Sequence, residues 1–460
     1  MTFRDTIAAI ATPPGIGGIG LLRISGPDAE GIARRIFRTL PPLATLLSHH
    51  LYHGQIVAQT GDVLDDVLLA FMRAPHSFTG EDTVEINCHG GPLILRSVLA
   101  ETLRAGARPA EPGEFTKRAF LNNRIDLAQA EAVLDLITAK TQEGLSAAVG
   151  GLKGELSERI AALREGTLNA LAGIEAAIDF TAEDGLTETS GSGSAEIMSL
   201  LDEVRALAAG YRRGRIYREG IGVVIAGRPN VGKSSLLNRL LGQRRAIVTP
   251  DPGTTRDFIE ELLDIGGIPV RLTDTAGLRI PESAAEKEGI DLVWERLADA
   301  DIVLMLLDGS AELADEDRRI IAQVRGKTLL PVINKRDLPQ RLDAGDLEGL
   351  LPEAAPRAVR ISAKYGEGLD DLKEAIRGLA LGSPQEAAAG PLVSHLRHKA
   401  ALDRAAEHLS LACDGLQDGL TPELVALDLR GALDALGEIT GQTTPDEVLA
   451  RIFANFCVGK

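Results

Sequence analysis

A chain of 460 residues exceeds what one hydrophobic core usually supports, so two or three domains are expected. Its 49 Lys and Arg against 66 Asp and Glu leave a formal charge of -17, which argues against broad electrostatic capture of nucleic acid and confines any such contact to a local basic patch or a partner's surface. Three widely spaced cysteines (Cys88, Cys413, Cys457) form neither a disulfide framework nor a zinc pattern. With no basic-then-apolar leader and no apolar run approaching about 18–20 residues, a cytoplasmic protein without membrane insertion is expected.

In residues 1–121, short alternating runs (Gly20–Ile24, Val67–Met72, Val84–Asn87) mix with helical stretches such as Pro92–Leu103, an α+β pattern. From Asp126 to about Asp179 the spacing turns helical: Leu145, Val149, Leu152, Leu156, Ile160 and Leu163 recur at three- and four-residue intervals. One uninterrupted helix there would reach about 80 Å, and Gly144, Gly150, Gly151 and Gly154 argue against it. The Gly/Ser-rich tract Thr187–Ser194 reads as a flexible link, after which Ile197–Tyr211 is again helical in spacing. Tyr211-Arg212-Arg213-Gly214-Arg215-Ile216-Tyr217-Arg218 has two readings: a basic patch for nucleic acid, or a solvated hinge entering the next domain near Gly220.

The apolar run Ile221–Ala226 then leads into Gly227-Arg228-Pro229-Asn230-Val231-Gly232-Lys233-Ser234, a complete G-x-x-x-x-G-K-S phosphate-binding loop, followed by the helically spaced Ser235–Leu241. Such a loop works by aiming backbone N–H groups at phosphate oxygens from a helix N-terminus. Lys233 is expected to reach the β- and γ-phosphates and Ser234 to coordinate Mg²⁺. Asp274-Thr275-Ala276-Gly277 follows the strand-like run Val270–Thr273, its Asp placed for the Mg²⁺ shell and its Gly for the γ-phosphate. Asn334-Lys335-Arg336-Asp337 follows the apolar run Leu329–Ile333. A carboxylate there accepts from N1–H and the 2-amino group of guanine, and adenine lacks both donors. Ser362-Ala363-Lys364, after Val359–Ile361, is placed to back the base. Four elements in this order identify a guanine-nucleotide domain. Ser235, Thr249, Thr254 and Thr255 complete the expected GTP contacts.

The hydrolytic apparatus departs from Ras-like switches, where a Gln after the Asp-x-x-Gly glycine orients the attacking water; here the position is Leu278. In Gly253-Thr254-Thr255-Arg256-Asp257, Thr255 offers a second Mg²⁺ hydroxyl. Asn230 is either a loop-stabilising amide or, with oxygens around Thr249, Asp251 and Thr254, a holder for a monovalent cation that replaces an arginine finger. Such fingers contribute about 10³–10⁵ in rate. Arg256 and Arg279 are rival cation sources. A second low-order stretch, Ser383–Gly390, closes this domain, and from Pro391 onward Leu392, Leu396, Ala400, then Leu433, Leu436 and Ile439 restore helical periodicity. The two helical blocks are expected to pack as one discontinuous domain around the inserted one.

These nucleotide motifs, the Gly-Thr-Thr-Arg-Asp segment and the closing Phe456-Cys457-Val458-Gly459-Lys460 together resemble the MnmE (TrmE) family of tRNA modification GTPases. The likeness extends to Asp5–Gly15, Leu22-Arg23-Ile24-Ser25-Gly26, Phe78-Thr79-Gly80-Glu81-Asp82 and Gly113–Asn122, so it covers essentially the whole chain. It implies a multidomain α/β plus α architecture: an N-terminal α+β folate-binding and dimerisation domain (1–121), a discontinuous helical domain (122–218 and 381–460), and an inserted Ras-like G domain (219–380) whose mainly parallel sheet has helices on both faces.

The resemblance further implies a potassium site at Asn230, Thr249, Asp251 and Thr254, Mg²⁺ ligands Ser234 and Thr255, and a catalytic Glu286 that orients water through a bridging water. Folate contacts map to Arg23, Glu85, Arg124 and Lys460, where Arg124 departs from the family's usual Lys, a cation of different geometry. Cys457 has two open readings: a buried inert thiol beside Phe453, Phe456 and Val458, or a group facing the folate-binding domain. The implied activity is K⁺-dependent GTP hydrolysis in a homodimer that joins the FAD protein MnmG (GidA) in a heterotetramer or larger complex. That complex would place an aminomethyl or carboxymethylaminomethyl group on C5 of tRNA uridine 34, taking one carbon from 5-formyl- or methylene-tetrahydrofolate. Two other classes share parts of the pattern: a ribosome-assembly GTPase of the Era or Der kind, for which no second phosphate loop or C-terminal Gly-x-x-Gly module is present, and a folate aminomethyltransferase carrying a regulatory GTPase insert.

Overall fold

A computed structural model describes residues 4–39, 45–184, 192–243, 261–274, 300–324, 326–347, 349–351, 357–382 and 390–460. The chain forms two compact units, one of Met1–Leu134, Leu152–Arg164 and Leu433–Lys460, the other of Asp135–Gly151 and Glu165–Ala432. Among the described residues, no helix is long and apolar enough to cross a membrane.

The first unit is built on strands β1 (Ile7–Ile10), β2 (Ile19–Ser25), β3 (Phe37–Arg38), β4 (His50–Val57), β5 (Val63–Met72), β6 (Thr83–His89) and β7 (Arg108–Pro109). They lie in the order β3-β4-β5-β6-β2-β1-β7, antiparallel except where β7 joins β1. Alternation decides the two faces. Val67, Leu69 and Phe71 of β5, with Leu22, Ile24, Val84 and Ile86, face a core closed by helices Ala29–Ile36 and Pro92–Arg104. Gly20 lets the second helix approach, since a Cβ there would sit 2.5 Å from Leu95 Cδ1. The opposite face carries Arg23 and Glu85, paired in register, together with the exposed Leu51 and Leu68.

Helix Glu114–Leu121 is pinned by a buried charge cluster. Arg118 is fully buried and meets Asp5 at 2.9 Å, Glu81 at 3.1 Å and Glu114 at 3.0 Å. The helix Asp446–Ala454 brings Phe453 and Phe456 into a core with Leu127 and Ala130. Two glycines let the segment after it lie on the N-terminal layer. Gly113, at φ +65°, has no room for a Cβ beside Phe453 O and Phe456 Cβ, and Gly459, at φ +95°, lies where a Cβ would be 2.6 Å from Ile10 O.

In the second unit, β8 (Ile221–Ala226), β9 (Glu261–Ile265), β10 (Ile268–Asp274), β11 (Ile302–Asp308), β12 (Leu329–Asn334) and β13 (Val359–Arg360) form a sheet ordered β13-β12-β11-β8-β10-β9. Every pairing is parallel except β9 with β10. Parallel strands buried on both faces read as continuous apolar runs. Ile221, Val223 and Ile225 pack toward Leu236, Leu240, Leu369 and Leu372 on one side, while Val224, Val303 and Met305 pack toward Ile321 and Val324 on the other. Helices Lys233–Gln243 and Leu369–Leu381 therefore cover one face and Asp315–Gln323 the other.

In the helical part, Gln142–Lys153 and Glu155–Asp184 are separate helices that part at Gly154, φ +90°. Gly144, Gly150 and Gly151 stay inside the first of them. Gly144 is there for close approach, as its Cβ would lie 2.9 Å from Tyr217 O. The expected link Thr187–Ser194 needs correction: 185–191 lie outside the described residues, and helix Ser192–Ala209 already includes 192–194. Burial of Ile197, Leu201, Val204 and Ala208 at helical spacing against helix Leu396–Gln417 overrides the weak propensity of its first turn. Tyr211–Glu219 is likewise a packed helix with Gly214, Ile216 and Tyr217 buried, not a solvated hinge. Its Arg218 is held by Ser394 O at 2.9 Å and Asp135 at 3.6 Å, and Arg212 by Leu379 O at 3.3 Å, while Arg212 and Arg215 are exposed.

Candidate functional site

The phosphate loop leaves β8 in a conformation only its glycines allow. Gly227 (φ +154°) and Gly232 (φ +103°) press against Leu306 O and the Asn334 amide, with no space for a Cβ at either. Asn230 adopts φ 63°, a left-handed conformation that Asn tolerates better than most residues. Lys233 begins the following helix, and its ammonium donates to Gly227 O at 2.7 Å and Arg228 O at 3.0 Å. The N-terminus of that helix and the Lys233 ammonium thus stand at one loop, an arrangement suited to a polyphosphate.

The base loop is tied directly to this cradle. Asn334, 3% exposed, donates from Nδ2 to Val231 O at 2.8 Å and accepts at Oδ1 from the Ala363 N–H at 2.9 Å. One side chain therefore fixes the phosphate loop, the Asn334–Asp337 segment and the Ser362–Lys364 segment together. Ser362 Oγ donates to Asp337 Oδ1 at 2.6 Å. Arg239, on the helix after the phosphate loop, donates to Ala363 O at 3.3 Å and also to Lys364 O. Lys364 lies over the Tyr365 ring, 4.9 Å from its centroid, and Ser235 is exposed on the helix's first turn.

Behind the loops runs a charged network that sequence reading missed. Lys335, at φ 64°, meets Asp308 Oδ2 at 2.6 Å, and Arg228 Nε lies 3.2 Å from Asp317 Oδ2. Burial pushes the Asp308 carboxyl up, but the Lys335 ammonium and the Ser310 donors outweigh it and hold it below the usual carboxylate range. Burial dominates at Asp317 and raises it. Asp308 ends an apolar strand run, which could have marked it; nothing local marks Asp317.

Asp274 ends β10, its backbone opposite Ile225 of β8. The expected contributions of Thr249, Asp251, Thr254, Thr255, Thr275, Ala276, Gly277 and Glu286 lie outside the described residues, as do Arg256, Leu278 and Arg279.

A second constellation lies on the open face of the N-terminal sheet. Arg23 is bonded through Nε to Glu85 Oε1 at 2.9 Å and through Nη1 to Gly459 O at 3.2 Å. Its guanidinium sits 6.0 Å from the centroid of Phe78 and 5.7 Å from that of Phe115. Burial lowers the Lys460 ammonium pKa, and the Arg23 charge lowers it further against a smaller opposing pull from Glu85. Arg124 takes a different post: its Nε donates to Ser77 O at 3.2 Å, bracing the loop that presents Phe78. Arg23, Glu85 and Lys460 are brought together; Arg124 supports them from the neighbouring loop. Cys457 is exposed, which sets aside the buried-thiol reading, and its carbonyl accepts from the Gly113 N–H at 3.3 Å.

A phosphate loop joined to a guanine-type base loop, on a mainly parallel sheet with helices on both faces, defines a P-loop GTPase domain. Comparison places the whole chain more closely. Residues 6–124 match the family model described as GTP-binding protein TrmE N-terminus, and 127–457 match the MnmE helical domain. The tRNA modification GTPase MnmE of Syntrophus aciditrophicus is 51% identical over 99% of this chain and 100% of its own length. Those of Geobacter sulfurreducens (47%, full coverage of both) and Moorella thermoacetica (48%, 99% of both) are similar. The chain belongs to the MnmE family of tRNA modification GTPases. Among solved structures, the G domain of the T. maritima FeoB iron transporter is 29% identical over 35% of this chain and 98% of that one, with a TM-score of 0.28, too low to carry any argument.

Proposed function

We propose that this chain is a K⁺-dependent GTPase that works with MnmG (GidA), an FAD protein, to install the (carboxymethyl)aminomethyl group on C5 of uridine 34 in certain tRNAs. In this reading the segments 1–121, 122–218, 219–380 and 381–460 are the folate-binding and dimerisation domain, the first helical part, the G domain and the second helical part. GTP lies along residues 230–235, with its guanine on Asp337 and Lys335 and Ser362–Lys364 behind it. Ser234 and Thr255 hold Mg²⁺, and Asn230, Thr249, Asp251 and Thr254 hold K⁺. Glu286 then orients the attacking water that Leu278 cannot.

The donor side rests on the docking of the last residues beside Arg23, the single observation that carries the folate reading. A reduced folate is an aromatic ring system ending in a glutamyl anion. Arg23 and the half-buried Lys460 offer cations for its anionic end, and Phe78 supplies aromatic surface. Glu85 fixes the guanidinium and can accept from ring N–H groups. When bound, 5-formyl- or methylene-tetrahydrofolate supplies the one-carbon unit. Cys457, exposed on the same segment, is available to this chemistry. The exposed Leu51 and Leu68 on that sheet face are consistent with a homodimer. The compartment is the cytoplasm, and the assembly with MnmG is a heterotetramer or larger.

The pathway is tested by mass spectrometry of wobble nucleosides from cells lacking the protein. Loss of the C5 substituent on uridine 34 is expected, and an unchanged profile overturns the assignment. Steady-state GTP hydrolysis in K⁺ against Na⁺ tests the cation: turnover should rise by roughly 10-fold or more in K⁺, and equal rates reject it.

A further inference from the structure

Four charged side chains from four segments stand in line behind the nucleotide loops. Asp317 opens helix Asp315–Gln323, Arg228 belongs to the phosphate loop, Asp308 ends β11, and Lys335 belongs to the base loop. Asp317 is 2% exposed; its Oδ2 accepts from the Ala314 N–H at 3.1 Å and faces Arg228 Nε at 3.2 Å, while its Oδ1 has no hydrogen-bond donor among the described residues. Such a carboxylate depends on its single cation, because a buried charge stripped of its partner is strongly destabilising. Asp308 spends Oδ1 on the N–H and hydroxyl of Ser310, at 3.0 and 2.6 Å. Its Oδ2 is shared: Lys335 Nζ lies at 2.6 Å and Arg228 Nη2 at 3.9 Å.

We infer that Arg228 and Asp308 are positioning residues that couple guanine recognition to the phosphate loop, with Asp317 fixing Arg228. This rests on the reading of Asn334–Asp337 as the guanine loop. Arg228 is engaged at both ends: its side chain faces the two acids, and its carbonyl accepts from Lys233 at 3.0 Å. A shift of Arg228 alters the field on Asp308 Oδ2, which holds Lys335. Lys335 is two residues from Asp337 and strained at φ 64°, so loosening it loosens the carboxylate that reads the base. The phosphate and base ends of the site thereby meet at one carboxylate oxygen, hydrogen-bonded to Lys335 and at ion-pair distance from Arg228, and coupling between them is reciprocal.

The test compares GDP with IDP, which lacks the 2-amino group, by competition against a fluorescent GDP analogue on the full-length chain. The wild type should favour GDP. Arg228→Gln, a change confined to the phosphate loop, should lower GDP affinity by roughly tenfold and shrink the GDP/IDP preference by about fivefold. Asp308→Asn should do the same, and the pair should be less than additive. Arg228→Lys, which keeps the charge, should recover part of the preference, and it serves as the working variant if Arg228→Gln melts early. Equal loss for GDP and IDP in both variants means two independent braces and overturns the inference, as does no loss at all. A wild type indifferent to the 2-amino group sinks the base-loop reading itself, a distinct result.

Discussion

Asp337 gives one carboxylate oxygen to the Ser362 hydroxyl at 2.6 Å, which sets its rotation and leaves the other edge for the base. Guanine offers two donors to that edge, whereas xanthine replaces the 2-amino group with an acceptor oxygen. Asp337→Asn should therefore cut GTP affinity by roughly 10–100-fold, the worth of a charged hydrogen bond, and raise the relative affinity for XTP, read by competition binding. Glu286→Ala should leave GTP affinity nearly unchanged while single-turnover hydrolysis drops; a large affinity loss would contradict a role confined to the attacking water. Lys460 sets a pH dependence whose sign is fixed by its surroundings. Burial and Arg23 make the free ammonium release its proton below the ordinary lysine range. An anionic folate favours the protonated form, so binding on the alkaline side takes up a proton, and affinity falls as pH rises through the lowered value. Arg23→Gln removes one of the depressing charges and should move that fall to higher pH. Calorimetry in buffers of different ionisation enthalpy measures the proton uptake.

At the scale of elements, the segment after helix Asp446–Ala454 is admitted to the N-terminal layer by backbone rather than by side chains. Gly459→Ala introduces strain at φ +95° and a contact with Ile10 O, a main-chain atom that cannot swing away. It should weaken folate binding by roughly tenfold or more, while GTP turnover stays at the wild-type level; a variant that binds folate normally would separate the tail from the donor site. Elements with strong local patterns were legible in the sequence. The strand Ile221–Ala226 is found residue for residue, because a strand buried on both faces must be apolar throughout. Pairings between distant residues were not legible: Arg228 with Asp317, or Arg118 with Asp5 and Glu81, leave no local trace in one chain. The glycines divided by role. Of Gly144, Gly150, Gly151 and Gly154, the last alone interrupts a helix, and Gly144 instead lets Tyr217 come near. Helix Ser192–Ala209 begins inside a tract whose composition suggested a link, because tertiary burial outweighs propensity.

At the scale of the molecule, the G domain meets helical scaffold within its own compact unit. The turn between β9 and β10 holds Gly267 at φ +86° against the Glu143 carboxylate, at the start of helix Gln142–Lys153. That hairpin runs straight into Asp274, so a change at the nucleotide has a short mechanical path to the scaffold. Gly267→Ala should push Glu143 aside and weaken this contact. Nucleotide turnover should stay within about twofold, since the substitution touches Glu143 and no residue of the nucleotide loops, while modified uridine 34 declines in cells carrying the variant. A parallel fall in both would place the defect in hydrolysis instead.

The bond from Arg23 to the Gly459 carbonyl joins residues 436 positions apart. At about 5–20 residues per second of ribosomal synthesis, the second partner emerges roughly 20–90 s after the first. The nascent N-terminal sheet must wait for it with an unfilled docking edge, through the whole translation of the nucleotide switch. Arg23 thus finds its backbone acceptor only after the intervening nucleotide domain has been made, so this corner of the N-terminal sheet is set among the last contacts of the fold.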